Sequence, residues 1–247
     1  MTIAPTTYNL FNIPPMATLP SSGACEMVTQ FCKTFVLPDN NRNYSLFDEK
    51  LASKISSYRD KATKPVVDML KKANIGYLEI DEKYQLTDDE IDNLIYNLDW
   101  KYPVSRSRGI YNMGTTYDFA NIRVVGNEFD NAVARLMQGI NETYNLNLNS
   151  CLLNYYEDGN VIIGHHSDNC YKLNGGYSGA IVVSVSYYAT RTMEFLSKDK
   201  REKLQLELEH GDIILMGSGT QKYYSHAIIK SKERVGHRIN LTFREFI

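Results

Sequence analysis

From Cys151 to the end, the chain is a succession of short β-rich runs cut apart by Gly, Asn, Asp and Lys. No other feature limits its fold as much. The runs cover residues 152–156, 180–187, 204–208, 213–216 and 239–243. Leu204-Gln205-Leu206-Glu207-Leu208-Glu209 alternates strictly, the period of a half-buried strand. His210-Gly211-Asp212 then turns the chain back into another strand. Many short antiparallel strands in succession favour a jelly roll or a related sandwich.

Ahead of this region the periodicity is helical. Thr87 with Glu90 three residues on forms a capping box for a helix to about residue 97. Phe129, Val133, Met137, Ile140 and Tyr144 fall on one stripe between 127 and 145. Both helices are expected to cover a sheet, with residues 77–80 as an additional strand. Residues 47–73 are helix-like around Pro65, with Leu51, Ile55, Tyr58, Val66, Val67 and Leu70 at helical spacing. Residues 1–45, punctuated by Pro5, Pro14, Pro15, Pro20 and Pro38, read as an irregular arm. The expected organisation is an N-terminal extension over 1–73 and one domain over 74–247. Its class is α+β, mainly β: a jelly-roll core flanked by helices.

With 43% hydrophobic and 23% charged residues, the composition is that of a soluble globular chain. The formal net charge of −2 gives no global case for nucleic-acid binding. Locally the balance differs. Lys222, Lys230, Lys232, Arg234, Arg238 and Arg244 face only Glu233 and Glu245, and Lys101, Arg106 and Arg108 have no acid until Asp118. Such runs either line a phosphate track or form an ordinary solvated face. Four cysteines without a CxxC pair fit reduced thiols, and no signal peptide or bilayer-spanning run is visible. An intracellular protein without a membrane partner is therefore expected.

The chemistry-bearing residues are concentrated in the last third. His166 and Asp168 are two apart, so on an extended segment both face one side, while His165 faces the other. His226, at the start of a later strand, is the obvious third ligand. Two imidazoles and a carboxylate are the set that holds a non-haem Fe(II) while leaving positions open. Zinc accepts the same donors, so ligand type alone leaves both metals open. Arg238, Asn240 and Arg244 share parity and project to one side of a strand. Two guanidiniums there could grip a dicarboxylate, or form surface ion pairs.

In order, Asn154-Tyr155-Tyr156-Glu157-Asp158-Gly159, His166-Ser167-Asp168, Ser184-Val185-Ser186, His210-Gly211-Asp212, His226 and Arg238-Ile239-Asn240-Leu241-Thr242-Phe243-Arg244 make a specific set. Over residues 75–247 the chain resembles the AlkB-like branch of Fe(II)/2-oxoglutarate dioxygenases. The resemblance implies a double-stranded β-helix, with iron on His166, Asp168 and His226. It implies that Asn154, Tyr156, Arg238, Asn240 and Arg244 hold the co-substrate 2-oxoglutarate, with dioxygen as oxidant. The segment 105–111 followed by 116–119 resembles the family's nucleotide-recognition lid. There Arg106 and Arg108 would meet phosphate, and Tyr111, Tyr117 and Phe119 would stack on a flipped base. A tyrosine-rich loop packed on the body is the plainer account of the same residues. The chain departs from the family pattern at His165, where an apolar or aromatic residue often stands. It departs again at Cys170, where many nucleic-acid repair members carry a second acid.

The activity implied is oxidative demethylation of N-alkylated bases in DNA or RNA, releasing formaldehyde, succinate and carbon dioxide, as in DNA repair. Hydroxylation or demethylation of protein side chains is the second reading. A catalytically silent jelly-roll binding module is the third.

Overall fold

The computed structural model describes residues 35–37, 42–44, 51, 54–55, 64–103, 107–119, 122–168, 170, 172–176 and 180–247. In chain order the strands are β1 (Phe35–Leu37), β2 (Arg42–Tyr44), β3 (Ile75–Leu78), β4 (Gly109–Met113), β5 (Tyr117–Phe119), β6 (Ile122–Val124), β7 (Ser150–Tyr156) and β8 (Ile163–His166). They continue as β9 (Val182–Tyr188), β10 (Arg191–Ser197), β11 (Lys203–Leu208), β12 (Ile213–Met216), β13 (Tyr224–Ile228) and β14 (Arg238–Arg244). The α-helices are α1 (Lys64–Ala73), α2 (Asp88–Asn97), α3 (Asn131–Tyr144) and α4 (Ser218–Tyr223).

Two sheets carry the body. The larger runs β3-β12-β9-β14-β7-β4 and the smaller β11-β10-β13-β8, with every pairing antiparallel. This is the expected jelly roll. Strand parity divides its contents. Ile239, Leu241 and Phe243 of β14 point to the outer side, where Ile91 and Leu94 of α2 and Val133, Leu136 and Ile140 of α3 cover them. Arg238, Asn240, Thr242 and Arg244 take the inner side, which lines a cavity between the sheets. Apolar residues of both sheets, among them Ile214, Met216, Phe195 and Leu206, close the inter-sheet core below it.

Both predicted helices form. The Thr87 hydroxyl accepts from the Glu90 N–H while the Glu90 carboxylate accepts from the Thr87 N–H. Thr87→Ala is expected to cost about 1 kcal/mol by denaturant melting, the usual worth of a lost cap; an unchanged midpoint would contradict this. Helix α3 starts later than its apolar stripe suggests, because Asp130 caps the N–H groups of Ala132 and Val133. Strands β10 and β13 escape a simple alternation rule, since each buries polar groups: Arg191 and Glu194 in one, His226 in the other.

Most of the extension proposed for 1–73 lies outside the described residues. Its described part joins the body: Leu51, Ile55, Met69, Leu70 and Ala73 are buried in the inter-sheet core. Lys54 bonds Glu209 (2.5 Å) and Asp212 (2.8 Å) at the β11–β12 turn, where Gly211 takes φ +82°. Among the described residues no helix is long and apolar enough to cross a membrane.

Candidate active site

Strand pairing assembles the triad. Strands β8 and β13 run antiparallel with His166 opposite His226, so the two imidazoles are cross-strand neighbours with centroids 4.4 Å apart. Two residues beyond His166 the chain has left the strand. It is held there by the Asp168 N–H donating to buried Gln221 of α4 (2.7 Å) and by the Ser167 hydroxyl donating to the Tyr224 carbonyl (2.9 Å). The donor atoms of His166, Asp168 and His226 lie within 4.8 Å of one another.

Their protonation suits a cation. His166 Nδ1 lies 2.9 Å from the Gly164 carbonyl, which fixes the proton there and leaves the Nε2 lone pair free. Burial, with His226 adding to it, pulls the His166 pKa down to about 4, so this imidazole is neutral at physiological pH. Burial alone would raise the Asp168 carboxyl, but the buried Arg244 guanidinium beside it holds it well below its usual range. Asp168 Oδ1 accepts from Arg244 Nη2 at 2.8 Å. Its Oδ2 has no hydrogen-bond partner and stands 3.5 Å from His226 Nε2, too far for a good hydrogen bond. A buried anionic oxygen with no proton donor is what a metal ion satisfies.

At the other end of the same face, Arg238 is 1% exposed. Nη2 donates to the Ser186 hydroxyl (2.9 Å), and the guanidinium lies 5.2 Å from the Tyr156 ring centroid. Nε and Nη1 have no partner. Burial lowers the Arg238 pKa to about 10, whereas Arg244, paired with Asp168, is raised. Two guanidiniums on one strand thus differ in kind. One is matched by a carboxylate; the other is a buried cation that needs an anion.

The remaining predicted residues divide. Asn154 lines the cavity, and its Oδ1 accepts from Arg108 Nε (2.7 Å). Asn240 also lines it, but its Nδ2 donates to Ser184 Oγ (2.8 Å) and Val185 O (2.7 Å) while Oδ1 accepts from Thr242 (3.0 Å). Asn240 therefore has no amide hydrogen left for a co-substrate and acts as a brace between β14 and β9. Tyr117 forms part of the wall, its ring 4.8 Å from that of Phe246. Tyr111 does not. Strand alternation turns Arg108 and Ile110 inward and Tyr111 outward, edge-on to Trp100 at 6.5 Å, which corrects its expected stacking role. Arg106 and the Phe119 side chain lie outside the described residues.

Sequence reasoning missed Gln221 and Arg191. The latter sits 5.6 Å from the Tyr156 ring centroid and donates to the carbonyls of Asp158, Val161 and Ile229. Its only signal was a lone cation in an otherwise strand-like run. Gln221, in a short polar helix, carried none. His165 points away from the triad to Glu194 (3.1 Å), as parity required.

The cavity is about 300 Å³. A jelly roll holding two imidazoles and a carboxylate at one end of a cavity, and an unmatched guanidinium at the other, defines a metal site with a neighbouring anion seat. The chain belongs to the 2OG-Fe(II) oxygenase superfamily, whose family model matches residues 92–244, and within it to the AlkB-like proteins. It is a 2-oxoglutarate-dependent dioxygenase. It is 28% identical over 188 residues to the DNA oxidative demethylase ALKBH2 of Bos taurus, a match covering 70% of this chain and 66% of that protein. To the alpha-ketoglutarate-dependent dioxygenase alkB homolog 3 of Rattus norvegicus it is 31% identical over 118 residues, 44% of this chain and 39% of that protein. The solved structure of OsALKBH1 superposes with a TM-score of 0.45 at 22% identity, covering 69% of this chain and 99% of that one.

The family implies Fe(II), 2-oxoglutarate and dioxygen. The residues fit the first two: Asp168 Oδ2 and the Nε2 lone pair of His166 await a cation, and Arg238 awaits a carboxylate.

Proposed function

We propose that this protein oxidatively removes N-linked alkyl groups from bases of DNA or RNA. The observation that carries this reading is the coexistence, in one cavity, of the His166-Asp168-His226 cluster and the Arg238 guanidinium, which has no anionic partner among the described residues. Iron and the keto acid, when bound, would supply oxidation of a C–H bond by dioxygen, one oxygen atom going to that carbon and the other to the succinate that forms as carbon dioxide leaves. The chain's own part is placement. His166, Asp168 and His226 would hold the metal, and Arg238, held by Ser186 and flanked by Tyr156, would take the far carboxylate of the co-substrate. Arg244 keeps Asp168 anionic and oriented. Asn154 keeps Arg108 at the wall.

Nucleic acid as substrate is supported by the relatives, one named a DNA oxidative demethylase, and by the rim. The cavity reaches the surface beside exposed Pro103 and partly exposed Arg108 and Val124, with Tyr117 behind them. A flat ring entering there meets an aromatic wall and a cation suited to phosphate. An N-methyl group oxidised to N-hydroxymethyl releases formaldehyde spontaneously, so no residue need act as general acid or base.

The test uses the purified protein with Fe(II), ascorbate, 2-oxoglutarate and a methylated oligonucleotide. Succinate and formaldehyde are expected in equal amounts, both dependent on the methyl group. Succinate release that ignores nucleic acid would contradict the proposal.

A further inference from the structure

We infer that the alkylated ring accepted by this cavity is electrically neutral rather than cationic; the inference rests on the nucleic-acid reading above. The charges on the wall carry it. Among the described lining residues the cations are Arg108, Arg238 and Arg244, and the sole carboxylate is Asp168. Arg244 already claims that carboxylate at 2.8 Å. The acids nearest in sequence do not help: Asp118 is exposed, and neither it nor Glu245 lines the cavity.

The wall near Asp168 is apolar or neutral. Cys170, Leu173, Tyr117 and Phe246 pack there with Ala180. Binding the cofactors does not change the sign, because the charges of Fe(II) and a dicarboxylate cancel and leave the guanidinium excess. A ring made cationic by N-alkylation would thus bring positive charge into a cavity whose described lining holds three guanidiniums and no free carboxylate, and like charges interact more strongly there than in water. A ring alkylated at a nitrogen that leaves it uncharged packs on the apolar wall without that repulsion.

The experiment compares near-isosteric pairs in one single-stranded oligonucleotide: 3-methylthymine against 3-methylcytosine, and 1-methylguanine against 1-methyladenine. The first of each pair is neutral at pH 7 and the second is cationic. Two readouts are taken: kcat/KM for formaldehyde release, and Kd with neither iron nor keto acid added. The neutral member is expected to win by at least about tenfold in kcat/KM and to bind more tightly, as one uncompensated charge contact at protein-like dielectric implies. Equal or better handling of the cationic members would overturn the inference while leaving demethylation intact. No formaldehyde from any oligonucleotide would overturn both.

Cys170→Asp places a carboxylate in the cavity wall and should narrow the gap or reverse it. If thermal melting shows that variant unfolded, Arg108→Gln, which removes a cation, should narrow it instead. An unchanged gap in a folded variant would rule out the wall's charge as its cause.

Discussion

Asp168→Asn is expected to abolish turnover and to weaken divalent metal binding by more than about 100-fold, since it removes a ligand and not merely an outer hydrogen bond. Titration with Mn(II) in a calorimeter measures this without reference to activity. The same substitution should also destabilise the metal-free protein. Arg244 Nη2 lies 2.8 Å from Asp168 Oδ1 and the pair is buried. Taking away the carboxylate leaves a buried guanidinium uncompensated, at a cost of about 3–5 kcal/mol. A second change, Arg244→Met, should return most of that stability without restoring the metal. An Asp168→Asn protein that still binds Mn(II) tightly would show that Asp168 is not a ligand.

Arg238→Met should act in opposite directions on binding and on stability. The co-substrate loses charge-assisted hydrogen bonds worth about 1.5–3 kcal/mol, so its KM should rise by roughly 10- to 150-fold while saturating turnover falls less. The ligand-free protein, however, loses a buried cation that has no anionic partner and two unsatisfied N–H-bearing nitrogens. An apolar side chain of similar volume is expected to be neutral or to stabilise by about 1–4 kcal/mol. Arg238→Lys should restore little, because a point charge does not reproduce a planar fork facing a carboxylate. A melting temperature that falls sharply in Arg238→Met would mean that Arg238 supports the fold rather than a ligand.

Much of the site was legible because β-structure has a period of two. Arg238, Asn240 and Arg244 share parity on β14, and the structure turns all three into the cavity while Ile239, Leu241 and Phe243 face the helices. The same rule separated His165 from His166. It could also have excluded Tyr111, which alternates with Ile110 on β4 and meets Trp100 instead. The family resemblance places Tyr111 in an aromatic lid, and pleat geometry turns that one side chain away while Tyr117 stays in the wall.

What stayed hidden depends on partners far away in the chain. Nothing local to Arg191 announces that its guanidinium will satisfy three carbonyls from two loops. Nothing local to Asn240 shows that Ser184, Val185 and Thr242 will use its amide. The difference between the two arginines of β14 is likewise invisible until Asp168, 76 residues from Arg244, is brought beside one of them.

The central claim is that His166, Asp168 and His226 bind one metal ion while Arg238 receives the far end of a dicarboxylate on that ion. A crystal structure of the protein grown without oxygen, with Mn(II) and 2-oxoglutarate, tests it most directly. The expected result is one anomalous peak at bonding distance from all three side chains, with the distal carboxylate on the Arg238 guanidinium. A metal bound elsewhere, or a keto acid whose carboxylates both avoid Arg238, would contradict it.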